Sequence, residues 1–259
     1  MTHHEPTGTR TRTAVVTGGA SPRSIGRATA TRFARDGWAV AILDLDGEGA
    51  GGLAQELAAE FGVPAAGYGV DITDSAAVNE AAARVAASEL PPVGALANIA
   101  GIPSPVPFLE VDDALWDTII SVNLTGTFYV TRAFLSAMLE GGYGRVVNMS
   151  SVSAQQGGGV FSKTPYSAAK AGVLGLTRSL AREMAPEGIT VNAIAPGAAD
   201  TNIRGASTEE SEAALSASIP MGRQATAEEI GALVVWLCGQ DAGYITGTTQ
   251  SINGGAYIS

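Results

Sequence analysis

Disulfides are excluded at the outset, because the 259-residue chain holds one cysteine, Cys238, in the apolar run 233–238, where it reads as a core residue. Charge is scarce: 15% of residues are charged and the balance is −10, which disfavours nucleic acid and anionic membrane surfaces as partners. The only histidines, His3 and His4, lie in a polar N-terminal stretch, so no metal cluster is visible. No apolar run reaches the roughly 18 residues of a membrane-spanning helix. The first 13 residues lack the apolar centre of a signal peptide, so residues 1–12 are expected to be a disordered tail and the protein cytoplasmic. No linker, repeat or low-complexity block divides the rest, and residues 13–259 are expected to form one domain.

What is present is a 46% hydrophobic chain in which short β-branched runs alternate with helical patterns. Strands are expected at 13–17, 38–43, 65–70, 93–99, 145–149, 190–195 and 248–252. Helices are expected at 25–36, 48–61, 74–89, 113–139, 166–185 and 227–238, with 150–165 a glycine-rich loop and 196–222 a variable segment. Nearly continuous apolar strands alternating with helices imply an α/β fold: a doubly wound, mostly parallel sheet of seven strands with helices on both faces. Ligands of such sheets bind outside the carboxyl ends of the strands. The polar clusters fall there: residues 18–26, Asp44, Asp71, 98–101, Ser150-Ser151 and Pro196-Gly197.

A strand, a glycine-rich turn and a helix in that order form a pyrophosphate site, since backbone N–H groups at the helix start face the anion. Gly18, Arg23, Ser24 and Ile25 belong to that turn. Asp44, with Leu45 beside it at the end of the second strand, would accept hydrogen bonds from the adenosine ribose and repel a 2′-phosphate, favouring NAD over NADP. Arg23 pulls the other way, since it could meet a 2′-phosphate, the pyrophosphate or solvent; Asp44 weighs more because its repulsion acts at close range. Tyr166 and Lys170, four residues apart on a helix, share one face with Cβ atoms about 5–6 Å apart. An adjacent ammonium favours the phenolate, so Lys170 is expected to lower the Tyr166 pKa and fit the phenol for acid–base work.

The set Thr17-Gly18…Ile25-Gly26, Asn98-Ile99-Ala100-Gly101, Asn123, Ser151, Tyr166-x-x-x-Lys170 and Pro196-Gly197…Thr201 resembles the short-chain dehydrogenase/reductase family across about residues 13–255. Two departures stand out: the glycine-rich turn is two residues longer with Ser24 at its middle glycine, and Ile99 replaces an asparagine. Ser24 or Arg23 would then contribute to the pyrophosphate contact. The resemblance implies hydride transfer between a secondary alcohol or ketone and a nicotinamide. Tyr166 would exchange the proton and Lys170 would also hold the nicotinamide ribose. Ser151, rather than Ser150, would orient the substrate oxygen, and Asn123 would anchor a water leading to Lys170. It further implies cofactor contacts from Asp71, Ile72, Asn98, Ala100, Gly101, Pro196, Gly197, Ala199 and Thr201, and a homotetramer packed through the 113–139 and Tyr166 helices.

Apolar residues of 102–109, 152–161 and a lid at about 201–221 suggest a neutral, fairly hydrophobic alcohol or ketone as substrate: Ile102, Pro103, Val106, Phe108, Val152, Val160, Phe161, Ile203, Leu215, Ile219 and Met221. Glu209, Glu210 and Glu212 read as a solvated helix face. The alternative is a reductase of 3-oxoacyl groups on acyl carrier protein, possibly NADPH-dependent. It is weakened by Glu140 and Glu187, where such enzymes tend to carry bases.

Overall fold

The computed structural model describes residues 12–159, 161–202 and 208–258. Seven strands form one sheet in the order β3-β2-β1-β4-β5-β6-β7, every neighbouring pair parallel. They are β1 (Thr13–Thr17), β2 (Ala39–Asp44), β3 (Ala65–Gly69), β4 (Val93–Asn98), β5 (Gly144–Met149), β6 (Ile189–Pro196) and β7 (Thr249–Ile252). The chain runs outward from β1 to β3, then returns to place β4 on the other side of β1. This reversal of strand order makes the crevice between β1 and β4 the place where such folds bind ligands.

Nine α-helices connect the strands among the described residues: α1 (Ile25–Arg35), α2 (Gly47–Phe61), α3 (Ser75–Ala86), α4 (Asp113–Ile120), α5 (Gly126–Glu140), α6 (Ser153–Gln156), α7 (Thr164–Met184), α8 (Glu209–Ala217) and α9 (Ala227–Cys238). Local chemistry sets their starts. Ser24, Asp46, Asp74, Asp112 and Thr226 each accept a backbone N–H of the first helical turn. Two apolar layers cover the sheet. Phe33, Leu53, Leu57, Ile230 and Val234 of α1, α2 and α9 pack on one face. Val78, Val85, Val130, Phe134 and Met138 of α3 and α5 pack on the other. Central strands β1, β4 and β5 are wholly buried, which is why they read as apolar runs rather than alternating patterns.

Three expectations are corrected. The helix expected over 113–139 is interrupted by a π-helical turn, Ser121–Thr125. A one-residue widening leaves hydrophobic periodicity almost intact, so composition does not announce it. Within the loop expected at 150–165, residues Ser153–Gln156 form α6, too short for a periodic signal. The helix face expected at Glu209, Glu210 and Glu212 belongs to α8, which Thr208 starts with a capping box closed by Ser211. Finally, Arg12 belongs to the fold rather than to the tail: its carbonyl accepts Ala39 N–H at 3.0 Å and its guanidinium lies 4.1 Å from the Tyr143 ring centroid. The remainder of the expected tail, residues 1–11, lies outside the described residues.

Candidate active site

The glycine-rich turn links β1 to α1 at the crevice. Gly18 has φ +79°, a left-handed backbone that turns the chain at the end of β1. Thr17 Oγ1 accepts the N–H groups of Ile99 and Ala100 at 2.9 and 3.0 Å, tying β1 to the end of β4. Asp44, half-buried at the end of β2, accepts Ala20 N–H through Oδ2 at 2.9 Å and Asp46 N–H through Oδ1 at 3.1 Å. Each oxygen keeps an acceptor site for a hydroxyl. Leu45 beside it is 77% exposed, an apolar surface facing solvent next to a carboxylate.

Ser24 and Arg23 both have partners within the protein. The Ser24 hydroxyl accepts Arg27 N–H at 3.0 Å and donates to Ser21 O at 2.9 Å, so it is committed to capping α1 where the family pattern has glycine. Ile25, half-buried, opens α1 and packs against the apolar layer of that face. Arg23 is engaged through both side chain and backbone. Its guanidinium pairs with Asp200, and its carbonyl accepts Asn202 N–H at 3.1 Å.

Asn98 has a structural tie beneath the site. Its amide donates to Thr131 Oγ1 at 2.9 Å and Asn148 Oδ1 at 2.8 Å. Asn148 in turn donates to Thr177 Oγ1 at 3.0 Å, while Thr131 donates to Thr127 O and Thr127 to Asn123 O. Asn98 is thus a strut in a buried polar chain that joins α5, β4, β5 and α7 beneath the site, which a strand-end asparagine does not reveal in sequence. Asp71 folds its Oδ1 onto Thr73 N–H and Oγ1–H at 2.8 and 2.7 Å, and Ile72 is buried against Gly126. Pro196 O accepts Val152 N–H at 2.9 Å and Gly197 N–H donates to Ile252 O at 3.0 Å. Ala199 is buried and bridges to Ala225, and Thr201 follows half-buried at the base of the lid segment.

The four candidate catalytic residues converge. The Ser151 hydroxyl acts on the Tyr166 phenol, holding its pKa down against the effect of burial. Ser150 is buried elsewhere, donating to Lys170 O at 2.9 Å, so of the two adjacent serines it is Ser151 that faces the phenol. Lys170 is 2% exposed, donates to Met149 O at 2.9 Å, and lies 5.5 Å from the Tyr166 ring centroid. Asn123 sits in the π turn. Its amide donates to Ile119 O and Ile102 O, both at 3.0 Å, which leaves Oδ1 buried without a partner. Gly101 explains where that oxygen faces. A Cβ on Gly101 would lie 2.6 Å from Asn123 Oδ1 and 3.3 Å from Lys170 Nζ, so both atoms border the same gap. Gly101→Ala is therefore expected to displace one or both and lower turnover about tenfold or more, read by steady-state kinetics, with the fold retained by circular dichroism.

Burial sets the electrostatics, and it overturns one expectation. Instead of being lowered by Lys170, Tyr166 is pushed up to about 12 by burial, with the Ser151 hydrogen bond working against the rise. Lys170 is pushed down to about 8, also by burial. Loss of water around both groups dominates, so ligand-free Tyr166 holds its proton throughout the neutral range.

These residues fit a nicotinamide dinucleotide. The Lys170 ammonium has three donors and spends one on Met149 O. The orphaned Asn123 Oδ1 beside it asks for a donor. The expected apolar wall is only partly formed: Ile219 is buried, while Ile102, Phe108 and Met221 are exposed, and Val160 and Ile203 lie outside the described residues. An open cleft of about 650 Å³ adjoins the first turn of α7, lined by Phe108, Ser153, Gly157, Lys163 and Ser167 among others. Ser153, Lys163 and Ser167 give this cleft a polarity that counting apolar residues missed.

The fold and this constellation define a dinucleotide-dependent oxidoreductase. The chain belongs to the short-chain dehydrogenase/reductase family: the family model described as enoyl-(acyl carrier protein) reductase matches residues 18–257. It is 40% identical over 248 residues to an uncharacterized short-chain type dehydrogenase/reductase, y4mP, of Sinorhizobium fredii, covering 95% of this chain and 98% of that one. It is 38% identical over 243 residues to the 3-oxoacyl-[acyl-carrier-protein] reductase FabG of Aquifex aeolicus (94% and 96% covered). An acetoacetyl-CoA reductase of Rhizobium meliloti is 40% identical over 249 residues (96% and 99% covered). The protein is an NAD(P)-dependent oxidoreductase that interconverts CH–OH and carbonyl groups.

Proposed function

We propose that the enzyme uses NAD(H) in preference to NADP(H) and interconverts a secondary alcohol and a ketone on a neutral, fairly hydrophobic small molecule. A bound nicotinamide would give or take the hydride. Tyr166 holds the proton that the carbonyl oxygen receives during reduction. Ser151 directs a hydroxyl at the same oxygen, where negative charge develops. Lys170 offers its two free donors to the nicotinamide ribose, and Asn123 Oδ1 holds a water that leads protons toward Lys170. The convergence of Lys170 Nζ and Asn123 Oδ1 on the gap at Gly101, next to the Ser151–Tyr166 pair, is the observation that carries this reading.

The cofactor preference rests on Asp44, whose two oxygens are held by backbone N–H groups with acceptor sites left over. Asp44→Ala is expected to weaken NADH binding by about tenfold to a hundredfold, the worth of hydrogen bonds to a charged acceptor, and to erase the preference. Asp44→Asn keeps an acceptor for the turn and separates charge from geometry. Initial rates at the NADH absorbance with a ketone panel and both dinucleotides provide the test. A wild type faster with NADPH overturns the assignment.

A second reading, reduction of 3-oxoacyl thioesters, is favoured by what the relatives' names state. For an acidic carrier protein, exposed Glu209 and Glu210 at the start of α8 oppose docking. No helix among the described residues is long and apolar enough to cross a membrane. With the net charge of −10, this supports a cytoplasmic enzyme without nucleic-acid partners. The exposed Trp116 and Phe128 on α4 and α5 support a homotetramer assembled through that face.

A further inference from the structure

Two carboxylates bracket the glycine-rich turn. Asp44 holds its beginning through Ala20 N–H, and Asp200 holds its end through the Arg23 guanidinium. Arg23 is the cation of the turn's residues 18–24, and hence the turn's own means of attracting a 2′-phosphate. Its side-chain partner is Asp200. Arg23 lines a cleft of about 430 Å³ between α1 and the start of α9, walled also by Pro22, Asp200, Thr226 and Glu228 among others.

An ordinary exposed ion pair would not hold a side chain there, since such pairs contribute little. This one is framed by backbone. Asp200 N–H donates to Ala225 O at 2.9 Å, Ala225 N–H returns to Ala198 O at 3.0 Å, and Asn202 N–H donates to Arg23 O at 3.1 Å. The backbones of both partners are therefore fixed against each other, and only the side-chain torsions need to be ordered for the pair to form. The two extra residues of this turn, relative to the family pattern, carry Arg23 to a place where the segment after β6 can grip it.

We infer that Asp200 is a specificity-determining residue: by holding and neutralising Arg23 on the side facing residues 200–202, it denies the adenosine 2′-position a cation and reinforces discrimination against NADP(H). The inference rests on the NAD reading of Asp44 and adds a second residue, on a different segment, to that preference. It also joins the cofactor turn to the base of the lid segment, because Asp200 and Asn202 flank Thr201.

The test is direct binding, by fluorescence titration of the full-length protein with NADPH and with NADH. Asp200→Asn is expected to tighten NADPH roughly three- to fivefold, the scale of one exposed charge pair, and to leave NADH unchanged. Adding Arg23→Ala to Asp200→Asn is expected to abolish the gain. Unchanged NADPH affinity in Asp200→Asn overturns the inference. So does a gain that survives loss of Arg23, or an equal tightening of both dinucleotides. Wild-type protein that binds NADPH more tightly than NADH overturns the Asp44 reading instead, an outcome read before any Asp200 variant is made. Thermal unfolding of Asp200→Asn confirms that the compared proteins are equally folded.

Discussion

Replacing Tyr166 by phenylalanine is expected to lower kcat by about 10²–10⁴-fold, the usual contribution of a positioned general acid, while NADH binds as before. The hydroxyl is the only group lost, and the dinucleotide contacts lie elsewhere: Asp44 at the end of β2, and the Lys170 ammonium, which is anchored by Met149 O rather than by the phenol. Ser151 keeps an interaction, because its Oγ still accepts Ser153 N–H at 3.1 Å. The measurement is a pre-steady-state and steady-state comparison with one active ketone, together with an NADH titration. Near-normal turnover in Tyr166→Phe would remove the phenol from the mechanism. The raised pKa, about 12, gives the prediction a direction. A phenol that stays protonated at pH 7 is ready to donate, so ketone reduction needs no prior ionisation. Alcohol oxidation first requires a phenolate that burial opposes, and it is expected to improve with rising pH more steeply than reduction does.

The contrast between what the sequence shows and what only the structure shows follows from range. Tyr166 and Lys170 are legible because four residues on a helix is a local relation. The β1 turn and Asp44 are legible because strand ends in a parallel sheet share one edge. Ser151 is separated from Ser150 by one position, and residues alone cannot choose between them. The structure commits the Ser150 hydroxyl to Lys170 O and leaves Ser151 as the serine that acts on the Tyr166 phenol. Asn98 also donates its amide to Thr131 and Asn148, partners 33 and 50 residues away that no local pattern reveals. Asp200 was passed over for a related reason. Its partner Arg23 is 177 residues distant, and a carboxylate before Thr201 has no local pattern to mark it. The π turn at Asn123 is invisible because an extra residue in one turn barely disturbs the apolar spacing, yet it presents Asn123 to both Ile119 O and Ile102 O. The Tyr166 pKa failed for a physical reason: spacing reports the neighbouring charge but not the loss of water around both groups.

Lys170 extends that point to stability. A lysine whose pKa falls from 10.5 unfolded to about 8 folded binds fewer protons in the native state between those values. The unfolded state then holds the extra proton, so stability rises as pH climbs from about 8 to 10.5, and the penalty for burying the ammonium is fully present below about 8. Lys170→Met replaces the cation with an apolar chain of similar length. It is expected to raise the stability of the ligand-free protein by about 1–3 kcal/mol at pH 7, and by progressively less toward pH 10. Loss of the hydrogen bond to Met149 O offsets part of the gain. Chemical denaturation of both proteins at pH 7 and pH 10 reads the difference. A variant less stable at both would show that Lys170 is a structural strut rather than a strained functional group. Activity moves the opposite way. Lys170→Met is expected to lower kcat/KM for NADH by at least about a hundredfold, since the ribose loses charged donors and the proton path its relay. In the wild type, kcat/KM for NADH reports groups of the free enzyme, so it is expected to fall above about pH 8 as Lys170 gives up its charge, well before Tyr166 titrates. Gains in folding and losses in catalysis from a single substitution mark a residue kept where stability alone would reject it.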